Sequence, residues 1–387
     1  MVDVVVLVPI LAATVAAFVF QGIPILLAAQ MPRLDPGPGP ERPGPRPTVS
    51  VVLAARNEEL DLGPALDDLL AQRYPAHEIL VVDGGSTDGT RDVVLSKGPR
   101  VRLIEEPPLP PGWVGKNWAC DVGYRASLGE YLLFTDADMR YHPDAVGAAV
   151  AWAESERADL ATLAARMEAR SFWEKVVLPF YVQMVLTYFR TPRVNRDDSS
   201  TAMANGQFTL VRRAPYEEVG GHAAIRGFVL EDVALARRFR SAHKRLRVAW
   251  SPDLLSTRMY RDRHELFEGL RKNVHDTRFS VARQLAFLAG VVGFYLLPLL
   301  VLPVGILTGS LVLVVLGALV YGAWFAKHAL FARAVGIGGG YGLLFPLAAG
   351  FYVVLLVSSL VAGLRGRPVA WKGRSYPMDG ESRAAGP

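Results

Sequence analysis

Blocks of hydrophobic and polar residues alternate along the chain, and the blocks differ greatly in length. Long, mainly apolar blocks lie near both ends, at residues 4–29 and 285–364. An α-helix rises about 1.5 Å per residue, so about 20 apolar residues cross the roughly 30 Å hydrocarbon core of a bilayer. The pattern therefore predicts membrane helices on both sides of a more polar central region.

The central region, residues 49–260, alternates short β-rich runs with stretches of helical periodicity. Between the first two runs, Leu62, Leu66 and Leu69 recur at helical spacing. Strand, helix and strand in repetition predict an α/β fold, in which a mainly parallel sheet is covered by helices. The predicted buried strands are residues 49–54, 78–83, 101–105 and 131–136.

Polar clusters follow three of these predicted strands. They are RNE at 56–58, DGGS at 83–86 and DAD at 136–138. Parallel strands present their carboxyl ends at one edge of the sheet, and ligands of such folds bind at that edge. We therefore expect the three clusters to share one binding site.

Residues 1–30 are predicted to be a retained membrane anchor. The chain begins with the letters MVD, without the basic start of a secretory signal peptide, and no cleavage site of small residues stands out. No Lys or Arg precedes the apolar block, whereas Arg33, Arg42 and Arg46 follow it, and basic residues prefer the cytoplasmic side. We expect the N-terminus outside and the central region in the cytoplasm.

Residues 31–48 are predicted to be an extended linker, because residues 32–47 contain seven prolines and three glycines. At the other end, residues 285–364 contain three candidate spans, and residues 365–387 form a basic tail. Three crossings would leave that tail outside, although basic residues prefer the inside. The number and direction of these crossings stay open. The candidate spans are 285–309, about 310–326 and 341–364.

Two further segments are expected to lie at the membrane surface. Residues 171–190 are apolar and aromatic, but Glu174, Lys175 and a proline argue against a crossing. The aromatic content suits an interfacial or pocket-lining helix, and we expect an in-plane element. Residues 261–284 are basic and amphipathic, which suits anionic lipid headgroups.

The composition excludes several classes of protein. Apolar residues make up 51% of the 387 residues and charged residues only 20%, which indicates a soluble part joined to membrane segments. The net charge is only +5, and we find no zinc-finger spacing or RNA-binding signature, so no nucleic-acid partner is expected. The single cysteine, Cys120, excludes an internal disulfide and is expected to be a buried apolar side chain.

Side chains in the polar clusters have the chemistry of a nucleotide or metal site. Asp136 and Asp138 can share a hard cation with water and phosphate oxygens, although a solvated turn is the alternative. Asp83 can accept a hydrogen bond from a base or ribose, whereas Asp88 is expected to cap the following helix. Lys116, at a predicted helix start, suits a diphosphate.

Glu231 and Asp232 begin the run EDVALARRF. Acidic residues at the start of a helix ordinarily complement the helix dipole. The residues alone therefore do not indicate catalysis, and a catalytic role needs other support.

That support comes from six segments: AARNEE (54–59), VVDGGSTDGT (81–90), GWVGKNWAC (112–120), LLFTDADM (132–139), VLEDVALARRF (229–239) and RMYRDRHELFEGLRKN (258–273). By the order and spacing of these segments, the chain from Thr48 to about Phe279 resembles the family 2 glycosyltransferases of the GT-A fold. It is similar in particular to the bacterial membrane-bound branch that includes chlorobactene glucosyltransferases and hopanoid-associated glycosyltransferases.

The resemblance implies roles for individual residues. Asp232 matches the general base of the family, supported by Glu231, and Asp138 with Asp136 would bind Mg²⁺ or Mn²⁺. The Q-x-x-R-W motif common in the family is missing, which leaves the acceptor side open. The nucleotide would be lined by Ala54, Arg56, Glu58, Asp83, Gly85, Lys116 and Asp136. The acceptor or the membrane interface would involve Trp113, Phe172, Trp173, Arg271 and Lys272.

The resemblance also implies a reaction, namely inverting, metal-dependent transfer of a sugar to a hydroxyl of a membrane lipid. The expected donor is a nucleotide-sugar, with UDP-glucose first, and the expected acceptor is a carotenoid, hopanoid or other polyisoprenoid. A polyprenyl phosphate, a diacylglycerol or a ceramide is the alternative acceptor. A non-catalytic nucleotide-sugar-binding scaffold is the alternative of another class. The expected location is the inner cell membrane, with several crossings and a cytoplasmic catalytic domain.

Overall fold

The structure of the chain is a computed structural model. It describes residues 29–37, 45–75, 77–275, 281–365, 369–371 and 374–376, together with scattered positions from 8 to 27. Most of the predicted anchor at 1–30 and of the basic tail at 365–387 therefore lies outside the described residues. The described residues form an α/β unit followed by long apolar helices.

Seven strands form a central sheet in the order β3-β2-β1-β4-β8-β6-β9, and β5, β10 and β7 form a small second sheet. In the central sheet all neighbours are parallel except β8, which runs antiparallel to β4 and β6. The described strands are β1 (Val49–Ala55), β2 (His77–Asp83), β3 (Val101–Glu105), β4 (Tyr131–Thr135), β5 (Met139–Tyr141), β6 (Leu160–Ala164), β7 (Arg166–Met167), β8 (Phe208–Arg212), β9 (Leu246–Trp250), β10 (Leu255–Thr257), β11 (Val369–Trp371) and β12 (Arg374–Tyr376).

The four predicted strands are β1 to β4, and each boundary lies within one residue of the prediction. Their continuous apolar runs are typical of strands that are buried on both faces. The prediction of a mainly parallel α/β fold is confirmed. The described helices are α1 (Leu62–Leu70), α2 (Thr90–Ser96), α3 (Gly115–Ala126), α4 (Ala145–Ser155), α5 (Phe172–Phe189), α6 (Arg213–Glu218), α7 (Glu231–Ser241), α8 (Arg263–His275), α9 (Val281–Val291), α10 (Val301–Thr308), α11 (Leu311–Ala334) and α12 (Phe345–Leu364).

Helices cover both faces of the central sheet. Val51 of β1 belongs to one core, whereas its neighbour Val52 belongs to the core on the opposite face. On that second face, a Cβ atom at Gly123 of α3 would lie 2.4 Å from the Val52 side chain. Glycine at this position lets α3 approach the sheet closely, and the start of α3 is thereby held at the sheet edge.

Three described segments are long and apolar enough to cross a membrane, and they correspond to the three predicted spans. The first contains a π-helical turn at Val292–Leu296 and a 3₁₀-helical turn at Leu297–Leu300. Pro298 lies in the second turn, and proline interrupts helical hydrogen bonding because it lacks an N–H. Crossing and direction stay predictions. The three segments are Val281–Thr308, Leu311–Ala334 and Gly339–Leu364.

Helix α5 occupies the segment that was predicted to lie in the plane of the membrane. Ser171 and Glu174 form a capping box at its start. The fully buried Glu174 carboxylate also accepts hydrogen bonds from the Arg258 guanidinium, at 3.0 and 3.2 Å. Helix α5 is thus tied to the chain just before α8, and its orientation in the membrane stays a prediction.

The beginning of the proline-rich linker is docked on the sheet, which its composition does not predict. The Trp250 N–H donates to the Pro32 carbonyl (2.8 Å), and the Leu34 N–H donates to the Trp250 carbonyl (2.9 Å). Strand β9 is an edge strand, and its unpaired backbone groups recruit an extended segment. The N-terminal part of the linker is therefore a fixed neighbour of the α/β unit.

Candidate active site

Two cavities meet beside the carboxyl ends of β1 and β4. The first, here the polar cavity, has a volume of about 740 Å³ and is lined largely by charged side chains. The second, here the apolar cavity, has a volume of about 680 Å³ and is lined mainly by hydrocarbon and aromatic groups. Lys116, Asp136, Met259 and Lys272 line both cavities, so the two spaces join at a charged junction.

The loops after β1 and β2 form part of the polar cavity and are bonded to each other. The Asn57 N–H donates to Ser86 Oγ (3.0 Å), and the Thr87 N–H donates to Asn57 Oδ1 (2.9 Å). Asn57 has a φ of 53°, in the left-handed region that asparagine tolerates better than most residues. These hydrogen bonds fix the two loops relative to each other.

Three of the predicted nucleotide residues on these strands and loops, Ala54, Arg56 and Glu58, line the polar cavity. Asp83 and Gly85 are not among its lining residues. The Asp83 carboxylate is buried at the end of β2 and accepts a hydrogen bond from the N–H three residues later, at 3.0 Å. Asp83 therefore shapes the loop, and its contact with a nucleotide stays a prediction.

Asp88 is not the helix cap that was expected, because the N-cap of α2 is Gly89, but the Asp88 side chain still binds the start of the helix. Its Oδ1 accepts a hydrogen bond from the N–H of Thr90, the first residue of α2, at 3.1 Å. Its Oδ2 also accepts from the Glu59 N–H at 3.2 Å, so the same carboxylate joins the two loops.

Lys116 lies at the junction, in the first turn of α3. Its Nζ is 2.6 Å from Asp136 Oδ1 and 2.6 Å from Glu231 Oε1. Burial acts to lower the pKa of Lys116, but the two carboxylates outweigh burial and raise that pKa well above its usual value. The Lys116 side chain thus joins two acidic segments that are far apart in sequence.

The Asp136-Ala137-Asp138 segment forms a turn after β4 instead of continuing the strand. Ala137 is buried, whereas both aspartates line the polar cavity, so their carboxylates face the same space as expected. Mg²⁺ and Mn²⁺ favour carboxylate oxygens, and Mg²⁺ is often held by one or two carboxylates together with phosphates and water. The pair fits a metal of this kind. No group of three or more His, Cys, Asp or Glu side chains suited to a metal occurs among the described residues.

Asp232 lies in the first turn of α7 and lines the apolar cavity at the junction. The Gly206 N–H donates to its Oδ2 (2.8 Å) and the Val233 N–H donates to its Oδ1 (2.7 Å). Burial raises the pKa of Asp232 to about 6, and the negative charge of Glu231 adds to the rise. A half-buried carboxylate with such a pKa, facing a substrate-sized space, has the properties of a general base.

The apolar cavity continues from Asp232 into the region between α5, β9 and α11. Beyond the junction its walls are almost entirely hydrocarbon and aromatic, which suits a long apolar molecule. Met31 of the docked linker also contributes to the wall. Other lining residues include Leu178, Val182, Val185, Trp250, Leu330 and Phe331.

The predicted acceptor and interface residues are found in different places. Lys272 lies at the junction, whereas Trp113, Phe172, Trp173 and Arg271 are not among the residues that line either cavity. Trp113 packs against a neighbouring tryptophan of α3, and Phe172 packs against Trp173. Arg271 forms an ion pair with a glutamate one turn earlier in α8. The roles of these four residues stay predictions.

Three residues at or near the site were not identified from the sequence: Tyr181, Gly206 and Arg258. A Cβ atom at Gly206 would lie 2.8 Å from Glu231 Oε1 and 3.1 Å from Lys116 Nζ, so a larger residue would displace these charged side-chain ends. Arg258 lies within the segment that carries the family resemblance. Tyr181 had no local signal, because one tyrosine in an aromatic helix is ordinary.

Comparison with known proteins finds a family match for the part of the chain that carries most of the site. Residues 50–220 match the family described as Glycosyl transferase family 2. The chain carries a family 2 glycosyltransferase domain. This domain spans β1 to the residues just after α6, and it includes Lys116, Asp136, Asp138 and Gly206. The resemblance drawn from the motifs is confirmed.

Curated relatives of this glycosyltransferase domain are similar over part of their length. One is the 4,4'-diaponeurosporenoate glycosyltransferase of Staphylococcus aureus (strain MRSA252), which is 28% identical over 233 residues, or 58% of this chain and 60% of the relative. Another is the enzyme of the same name from Staphylococcus haemolyticus (strain JCSC1435), which is 24% identical and covers 55% of this chain and 57% of the relative. The matched region thus spans less than two thirds of these relatives.

A solved structure extends the similarity in fold beyond the glycosyltransferase domain. It is the mannosyltransferase PcManGT from Pyrobaculum calidifontis in complex with GDP-Man and Mn²⁺. The TM-score is 0.51 with 20% sequence identity, and the match covers 92% of this chain and 99% of that chain. At this identity the match supports the GT-A fold and no finer statement.

Proposed function

We propose that this protein is a membrane-bound, inverting glycosyltransferase that moves a sugar from a nucleotide-sugar to a membrane lipid. One observation carries the proposal: the polar and the apolar cavity meet at Lys116 and Asp136, beside Asp232. The polar cavity suits the nucleotide and diphosphate, and the apolar cavity suits the lipid. The bond to be made lies at their junction.

Asp232 is the general base of the proposed reaction. The hydroxyl oxygen of the acceptor lipid attacks the anomeric carbon, the hydroxyl proton moves to the Asp232 carboxylate, and the bond from that carbon to the diphosphate oxygen breaks. The electron pair of the broken bond stays on the departing nucleoside diphosphate, whose negative charge lies near Lys116. Attack opposite to the leaving group inverts the configuration, so an α-linked donor gives a β-glycoside.

Asp138 and Asp136 are the proposed ligands of Mg²⁺ or Mn²⁺. Their carboxylates face the polar cavity, where two oxygen ligands of the protein can be completed by phosphate oxygens and water. A divalent ion held there would supply positive charge to the diphosphate.

The preferred acceptor is a carotenoid or a similar polyisoprenoid lipid, and UDP-glucose is the first donor to test. Two observations support the lipid: the hydrocarbon lining of the apolar cavity and the names of the curated relatives, which refer to 4,4'-diaponeurosporenoate. We place the enzyme in the inner cell membrane, with the glycosyltransferase domain on the cytoplasmic side. Three described segments that could cross a membrane support this location.

The test uses the full-length protein in native-like membranes, incubated with UDP-glucose and other sugar nucleotides and with a total lipid extract. We expect a glycosylated neutral polyisoprenoid in the mass spectrum, and we expect EDTA to abolish its formation and Mg²⁺ or Mn²⁺ to restore it. If the product is instead a glycosylated polyprenyl phosphate, diacylglycerol or ceramide, that lipid is the acceptor and the polyisoprenoid is not. Nucleotide binding without any glycosylated product would contradict the proposal and favour a binding scaffold.

A further inference from the structure

A polar pair lies in the wall of the apolar cavity, close to its junction with the polar cavity. The pair consists of Tyr181 on α5 and Asn273 on α8, and both side chains line the apolar cavity together with Asp232. Asn273 Nδ2 donates a hydrogen bond to the Tyr181 hydroxyl oxygen at 3.2 Å. The two residues are 92 positions apart in sequence and lie on different helices.

The hydrogen bond orients the tyrosine hydroxyl. A tyrosine hydroxyl has one hydrogen to donate and accepts through its oxygen. Because Asn273 donates to that oxygen, the hydroxyl hydrogen remains for a third group. No acceptor for this hydrogen is found among the described residues, so a group that enters the cavity can accept it.

The hydroxyl lies near the junction, because Asn273, whose Nδ2 is 3.2 Å from it, directly follows Lys272, which lines both cavities. Burial raises the pKa of Tyr181 to about 12, and the negative charge of Asp232 contributes to this rise. Tyr181, Asn273 and Asp232 all line the apolar cavity, and Asp232 directly follows Glu231, which is bonded to Lys116 at the junction. Tyr181 offers a hydrogen to an acceptor oxygen, and Asp232 accepts a hydrogen from it.

We infer that Tyr181 and Asn273 position the nucleophilic oxygen of the lipid acceptor. The Tyr181 hydroxyl donates to a lone pair of that oxygen, the Asp232 carboxylate accepts its proton, and Asn273 holds Tyr181 in the productive orientation. Two hydrogen bonds then fix the oxygen, as precise orientation of a nucleophile requires. The inference deepens the proposed function and rests on it, and it assigns Tyr181 as a positioning residue.

A binding experiment tests the inference without turnover. The full-length protein in detergent is titrated with a C20 prenyl alcohol, its methyl ether and the corresponding hydrocarbon, and binding is followed by tryptophan fluorescence, since Trp250 lines the cavity. The alcohol can engage both Tyr181 and Asp232. The ether can engage only Tyr181, and the hydrocarbon can engage neither.

For Tyr181→Phe we expect roughly three- to tenfold weaker binding of the alcohol and of the ether, the effect of one lost hydrogen bond, with unchanged binding of the hydrocarbon. Asn273→Leu should weaken binding of the same two probes. The matched control is Tyr321→Phe, which removes a hydroxyl that donates to the Leu343 carbonyl (2.8 Å) in the apolar helices. We expect this control to bind all three probes like the unmodified protein.

Turnover supplies a second measurement. Tyr181→Phe should raise KM for the lipid about as much as it weakens binding, and should increase the share of sugar that is transferred to water. The KM for the nucleotide-sugar should not change. A purely structural hydrogen bond would instead lower thermal stability and leave the lipid KM and the water share unchanged.

The results separate the inference from the proposed function. Equal binding of each probe to Tyr181→Phe and to the unmodified protein would overturn the inference, even if lipid glycosylation is observed. If the unmodified protein binds none of the three probes, both the lipid acceptor site and the inference fail. Selective loss of alcohol and ether binding in Tyr181→Phe supports both.

Discussion

The polar and the apolar cavity are built from the sequence in different ways. The polar cavity is formed largely by short segments that directly follow strands, such as residues 54–59 after β1 and residues 136–138 after β4. The apolar cavity collects residues from distant elements, including Met31, Val185, Trp250 and Phe331. The residues of the donor site therefore lie in short continuous segments of the sequence. The space for the acceptor depends instead on how helices pack onto the α/β unit.

This difference has a functional consequence. A nucleotide-diphosphate site needs charged groups at fixed places, which the end of a parallel sheet provides. An apolar chain needs only a space of suitable shape, so its walls can change while the donor site is kept. Mutations on the two sides should accordingly affect donor and acceptor separately, and mutations at the junction should affect transfer most.

Asp232→Asn should have the largest effect, because it should nearly abolish sugar transfer with little effect on nucleotide binding in the polar cavity. The amide cannot take the acceptor proton, so we expect lipid glycosylation to fall by roughly 100-fold or more while UDP binding changes little. Product formation and equilibrium UDP binding measure the two effects. Asp198→Asn, on an exposed pair with Arg196, is the control. Loss of UDP binding together with transfer would show that Asp232 belongs to the donor side.

Gly206→Ala should damage the junction itself. The added methyl group would lie 2.8 Å from Glu231 Oε1, so the glutamate and the Lys116 ammonium bonded to it must shift. We expect kcat for transfer to fall roughly tenfold, the effect of losing about 1.4 kcal/mol of transition-state stabilisation. Gly147→Ala, where a Cβ has an ordinary 3.5 Å contact, is the control. Full activity of Gly206→Ala would mean that the charged cluster tolerates displacement.

Val185→Trp should narrow the apolar cavity and leave the polar cavity unchanged. We expect KM for a long polyisoprenoid acceptor to rise roughly fivefold, with no change in KM for the nucleotide-sugar, because overpacking disfavours a bulky occupant. Val315→Trp, on an exposed face of α11, introduces the same side chain away from the cavity. An equal effect of both variants would show that the lipid binds elsewhere.

The smallest expected effect is a shift in the pH dependence of kcat/KM. Asp232 accepts the proton only when ionised, so kcat/KM should rise as the pH increases through about 6, the value to which burial and Glu231 raise its pKa. Glu231→Gln removes the neighbouring negative charge, which should lower that pKa and move the acidic limb to lower pH. Initial rates between about pH 5 and 8 test this. If the acidic limb of the Glu231→Gln profile does not move, a group other than Asp232 determines that limb.

The sequence predicted the donor side of the molecule well. Strands β1 to β4 and the helix starts at Lys116 and Glu231 were accessible, because each depends on a local pattern. The family resemblance, not the pattern, brought Asp232 to the site. Its helix-start position is ordinary, and only the fold places it beside Gly206.

The acceptor side could not be predicted in the same way. Tyr181 meets Asn273 only after α5 packs against α8, and the docking of residues 32–34 on β9 depends on an unpaired sheet edge. Of the five residues expected at the acceptor or the interface, only Lys272 lines a cavity. The aromatic content of residues 171–190 suggested a pocket-lining helix, and this helix does line the apolar cavity. Contacts between distant helices leave little trace in local sequence, so the elements that complete the wall could not be predicted.

A structure of the full-length protein in a lipid nanodisc, with UDP, Mn²⁺ and a long-chain prenyl alcohol bound, tests the central claim most directly. We expect UDP in the cavity lined by Arg56 and Asp138, the lipid chain between α5 and α11, and the alcohol oxygen within hydrogen-bond distance of the Asp232 carboxylate. A lipid chain bound outside that cavity, with its oxygen remote from Asp232, would contradict the proposed meeting of donor and acceptor.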